Sequence, residues 1–227
     1  MNKIIGSFLD VHKKEYAIES WSTEDAFEHF IDKCIVNKYS NERFDPSEIM
    51  TDPGEKGLDG VAICVNGRVI TSIDELESIH KESKTLEVRF IFIQSKTSES
   101  FDGDEMGTFI YGVKAFFAEE HLRPKTNEKM ENLIRVKDKV YEFSVDMPIA
   151  PVLDLYYVCC GKWDSTNGLQ ARIDLDIKPL MDTQDFSTVS FFPYDSEKII
   201  LSYKELKKKL VVPLLWKRRS RFKILRG

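Results

Sequence analysis

Hydrophobic residues change period several times along the 227-residue chain, and each change marks an element. Phe27, Phe30, Ile31, Cys34 and Ile35 recur at i, i+3, i+4, i+7 and i+8, the stripe of an amphipathic helix. Ser22-Thr23-Glu24-Asp25 supplies its start, a capping hydroxyl followed by acids in the first turn. An earlier helix is expected from Ile4 to about Glu19. Residues 40–57 are polar and carry Pro46, Pro53, Gly54 and Gly57, the composition of a loop. The run from Leu58 to Val65, the turn pair Asn66-Gly67 and the return Arg68–Thr71 predict a β-hairpin. A short helix follows, from Ser72 to about Ser83. Thr85 to Gln94 is apolar on both faces and reads as a central strand.

In the second half the pattern predicts helices over about 104–119 and 126–141 and a buried strand over 153–160. A helix carrying Leu169, Ile173, Leu175 and Ile177, a strand over 188–192 and a last helix over 196–210 follow. No internal repeat or low-complexity segment interrupts them. The alternation predicts an α/β fold, a three-layer sandwich in which helices flank a central mixed β-sheet. One domain is expected over residues 1–210, with 211–227 a basic C-terminal tail or the edge of a longer chain.

Composition narrows the class. The chain is 42% hydrophobic and 31% charged, as ordinary globular proteins are, and no apolar run reaches the roughly 20 residues of a membrane span. Cys34, Cys64, Cys159 and Cys160 form no Cys-x-x-Cys and read as reduced, buried thiols of a cytoplasmic protein. His12, His29, His80 and His121 are scattered and read as structural. Six of the 33 basic residues are Lys217, Arg218, Arg219, Arg221, Lys223 and Arg226; without them 27 bases face 38 acids. The body is acidic, which argues against a broad nucleic-acid-binding surface. The tail, with Trp216 and Phe222, would either contact a nucleic acid or form a solvated end.

The candidate chemistry lies at strand ends. Gly57-Leu58-Asp59-Gly60 opens one apolar run and Gln94-Ser95-Lys96 closes another. Polar groups there need a reason, because a buried charge is costly unless paired or bound to metal. Residues two apart on a strand share a face, so Gln94 and Lys96 point together and Ser95 points away. Antiparallel pairing of the hairpin with the 85–94 strand would bring Asp59 to them. Asp59, the Gln94 amide oxygen and the Ser95 carbonyl are hard oxygen ligands of the kind Mg²⁺ or Mn²⁺ takes. Lys96 would orient a metal-activated water or stabilise charge in the transition state.

The Gly-x-Asp-Gly and Gln-x-Lys fragments resemble the restriction-endonuclease-like (PD-(D/E)xK) superfamily, in its Mrr-type branch, where Gln replaces the second acid. The wider stretch from Gly57 to Phe101 is similar to the N-terminal domain of abortive-infection phage-resistance proteins. The resemblance spans roughly residues 23–205. It implies a Mg²⁺-dependent nuclease cutting DNA, with RNA also open, in anti-phage defence. Catalysis would fall to Lys96, Asp59, Gln94 and Glu28, the last on a preceding helix after Phe27, with Glu55 its rival as second acid. Cutting both strands would call for a homodimer. The other reading is an inactive module of the same fold that binds nucleic acid or a phage protein.

Overall fold

A computed structural model describes residues 1–52, 57–165 and 168–223, side chains from 210 onward excepted. Two helices open the chain. The first, α1 (Lys3–Tyr16), starts where the Asn2 side chain accepts the Ile4 amide. It ends about three residues before the expected Glu19 because Ala17 turns left-handed at φ 56°, a conformation an alanine does not advertise in sequence. In α2 (Thr23–Val36), Ser22 caps as expected, its hydroxyl accepting the Asp25 amide. From Ala26 to Val36 every α2 residue except Glu28 is buried.

Strands β1 (Gly60–Val65) and β2 (Arg68–Ile70) form the hairpin, with Asn66 and Gly67 both at positive φ, as a tight type I′ turn requires. Helix α3 (Ile73–Glu82) begins in a capping box between Ser72 and Glu75. Central strand β3 (Val88–Lys96) leads to α4 (Gly103–Phe117) and α5 (Glu128–Glu142). Then come β4 (Val152–Cys159), α6 (Leu169–Asp182), β5 (Thr188–Tyr194) and α7 (Ser196–Lys223). Helix α7 passes the expected end at Leu210.

The five strands lie in the order β2-β1-β3-β4-β5. The β2–β1 and β1–β3 pairs are antiparallel, whereas β3–β4 and β4–β5 are parallel. Period-2 alternation on β3 divides the interior. Phe90 and Phe92 face a core with Phe109, Phe116, Leu133 and Ile177, under α3 to α6. Ile91 and Ile93 face a second core with Ile5, Phe27, Phe30 and Ile199, under α1, α2 and α7. The protein is thus an α/β sandwich of three layers around a mixed sheet. All four cysteines are free and buried. Among the described residues no helix is long and apolar enough to cross a membrane.

Phe92 is fully buried and packs edge-on against Phe116 and Phe117, with ring centroids 5.1 and 5.7 Å away. Phe92→Ala should cost about 3–5 kcal/mol, the usual loss for an aromatic cavity in a core, and lower the urea midpoint without changing the slope.

Candidate functional site

The β1–β3 register sets Gly60 opposite Ile93, which carries Asp59 to the C-terminal end of β3. There Asp59 Oδ2 accepts two hydrogen bonds, from Gln94 Nε2 at 2.7 Å and from the Ser95 backbone N–H at 2.7 Å. The Asp59 amide in turn donates to the Ile93 carbonyl at 2.9 Å. With its nitrogen held on Asp59, the Gln94 amide turns its oxygen toward Gly57. A β-carbon at Gly57 would sit 3.0 Å from that oxygen, and φ there is +75°, so glycine both makes the turn and leaves room. Ser95 buries its hydroxyl, which has no hydrogen-bond partner.

Asp59, Gln94, Lys96 and Glu28 line a single open cleft of about 870 Å³, together with Trp21 and Asp52 among others. Glu28 reaches it from α2, the preceding helix on which the resemblance put it. The rival acid Glu55 lies outside the described residues. So do the side chains of the basic segment 217–226.

Charge is poorly compensated here. Burial pushes the Glu28 carboxyl up to about 8, and Asp59 and Asp25 push the same way against a smaller pull from Lys96. Burial also raises Asp59, to about 6, although the Ser95 amide and Lys96 oppose it. A pair of acids in one cleft, both displaced upward, makes the cleft a candidate functional site.

The same environment holds a residue the pattern did not single out. Asp32, one turn after Glu28 on α2, is completely buried, and neither carboxyl oxygen has a hydrogen-bond partner. Burial holds it well above the usual carboxylate range, with Asp59 and Glu28 adding to the effect and Lys129 opposing it. Its oxygens lie 2.5 and 2.7 Å from where a Gly60 β-carbon would stand, so only glycine fits beside Asp59. The signal was present: Asp32 interrupts an apolar run, and Asp25, Glu28 and Asp32 share a helix face at i, i+3 and i+7. Two of the scattered histidines also meet. His12 and His29 are buried side by side, ring nitrogens 2.7 Å apart.

Among the described residues no three His, Cys, Asp or Glu side chains converge in a way that could hold a metal ion. The comparisons with known proteins give no match: no family model, no curated protein and no solved structure corresponds to this chain.

The raised Glu28 carboxyl has a thermodynamic consequence. Between its ordinary value of 4.5 and about 8, the folded chain keeps a proton that the unfolded chain has lost. Stability contributed by Glu28 therefore falls as pH rises through that window. His12 and His29, both held low by burial, act in the opposite sense below about pH 6.5, but equally in parent and variant. In chelator, Glu28→Gln should melt progressively higher than the parent from about pH 5 to about pH 8. Parallel pH profiles of the two melting midpoints would show that Glu28 titrates normally.

Proposed function

We propose that the protein is a metal-dependent nuclease of the restriction-endonuclease-like, Mrr-type kind, hydrolysing DNA phosphodiester bonds in defence against phage. One observation carries the reading: a single carboxylate oxygen of Asp59 is gripped by Gln94 and Ser95, with Lys96 and Glu28 in the same cleft. The defence role rests on the similarity of the 57–101 stretch to abortive-infection proteins, the chemistry on the cleft itself.

The donor set suits a hard divalent cation. Both hydrogen bonds to Asp59 use Oδ2, leaving Oδ1, and the Gln94 amide oxygen is turned away from Asp59. Mg²⁺ binds through one or two carboxylates and completes its shell with water and substrate phosphate, so it needs no cage of three acids. A bound cation would acidify water and neutralise phosphate charge. The Gln94 and Ser95 donors fix the rotamer of Asp59. The Lys96 ammonium, at the cleft wall, orients the attacking water and offsets charge growing on the phosphate oxygens. Burial pushes the Glu28 carboxyl up to about 8, so Glu28 would supply a proton to the departing oxygen as the P–O bond breaks.

Two measurements test this. With Mg²⁺ or Mn²⁺, the parent should convert supercoiled plasmid and single-stranded circular DNA to cut products. Lys96→Ala should be slower by about 10²-fold or more at unchanged melting temperature, and Asp59→Asn should be inactive. A pure parent protein that cuts neither substrate with any divalent cation would shift the reading to a binding module of the same fold.

Gln94→Glu tests the cation directly. It replaces the amide donor with a second carboxyl 2.7 Å from Asp59, so two like charges meet unless a proton or a cation intervenes. The variant should be less stable than the parent in chelator at neutral pH and gain more melting temperature from Mg²⁺. Equal Mg²⁺ shifts in the two proteins would remove Gln94 from the metal site.

A further inference from the structure

The cleft is small, acidic and bounded by an indole. Its volume of about 870 Å³ is that of a small-molecule site, roughly 300–1,000 Å³, room for a nucleotide or two. Asp25, Glu28, Asp52 and Asp59 line it, and Lys96 is the one cation among the described residues that do so. Among the described lining residues there is thus no row of Lys or Arg to give counterion release on phosphate binding, the usual source of affinity for nucleic acid. Something else has to hold the strand.

Trp21 stands at the cleft, between α1 and the cap of α2. It is held from behind. Its ring meets that of buried His29 edge-to-face, centroids 5.5 Å apart, and its carbonyl accepts Lys13 Nζ at 2.9 Å. The residue is partly exposed, and it lines the cleft. A propped aromatic face beside a phosphate-processing centre is a platform for a nucleobase, and stacking works with any base. In a duplex the base faces are covered by their neighbours, so such a platform serves only an unpaired nucleotide.

Resting on the nuclease reading above, we infer that the substrate enters as an unpaired DNA strand, with the base next to the scissile phosphate stacked on Trp21. Stacking supplies affinity that the acidic cleft cannot supply through charge. One strand needs one site, so this substrate does not require a dimer.

The test is equilibrium binding of a labelled short oligonucleotide to the full chain in Ca²⁺, read by fluorescence anisotropy. Single-stranded DNA should bind more tightly than a hairpin duplex of equal length. Trp21→Ala should weaken single-strand binding roughly 5- to 150-fold, and Trp21→Phe should restore most of it. If Trp21→Ala lowers the melting midpoint, Trp21→Leu, which keeps apolar volume without an aromatic face, takes its place and should bind as weakly. Equal binding of single strand and duplex, unchanged binding in both Trp21→Ala and Trp21→Leu, or no binding to the parent would overturn the inference. Lys96-dependent cleavage with unchanged binding in those variants would sink the stacking inference and leave the nuclease reading standing. Trp21-dependent, strand-selective binding without cleavage would do the reverse.

Discussion

The arrangement hinges on one carboxylate oxygen with two donors. Asp59 Oδ2 joins the residue before β1 to the end of β3, through Gln94 and the Ser95 backbone, at 2.7 Å each. These bonds lie where antiparallel β1 gives way to the approach loop, and where parallel β3 reaches its C-terminal end. Ligands of open α/β sheets gather at such carboxyl ends, because the strands deliver side chains there without closing over them. A one-residue slip of β1 against β3 would turn Asp59 to the other face and leave the Gln94 amide without its acceptor.

Around that junction the protein tolerates unusual electrostatics. Asp32 is buried with no hydrogen-bond partner, and Glu28 and Asp59 are both displaced upward. An apolar residue at position 32 would avoid the desolvation cost of an unpaired carboxyl. At the opposite end of the sheet the fold treats charge differently: Asp154, equally sequestered, is paired with Arg89. The contrast sets the cleft apart from the scaffold. Asp154 at one end is paired within the fold, whereas Asp32 at the other has no hydrogen-bond partner.

The two cores explain how such a site is supported. β3 is buried on both faces, with phenylalanines toward α3 to α6 and isoleucines toward α1, α2 and α7. The backbone that presents Gln94, Ser95 and Lys96 is therefore held from both sides. Glu28 and Trp21 belong to the second layer, and their placement depends on α2 packing against the sheet through Phe27, Phe30 and Ile31. Side-chain positions are better fixed on packed elements like these than on loops.

By itself the sequence determined what local periodicity and turn chemistry dictate. The Ser22 cap, the Asn66-Gly67 hairpin, the double-sided burial of β3 and the α/β layering were all legible, because each depends on neighbours a few residues apart. So was the meeting of Asp59 with Gln94 and Lys96, since strand alternation and a hairpin register suffice to predict it. Tertiary structure alone decided the rest. Ala17 ends α1 through a backbone conformation that alanine rarely takes, and α7 continues past the expected end at Leu210. His12 and His29 lie 17 residues apart and become one buried pair. Asp32 became an unpartnered acid only when α2 was laid against Gly60, and Trp21 reached the cleft only when that packing fixed its direction. Burial depends on every neighbour at once, and a side chain's charge state follows its burial, so neither can be read from spacing along the chain.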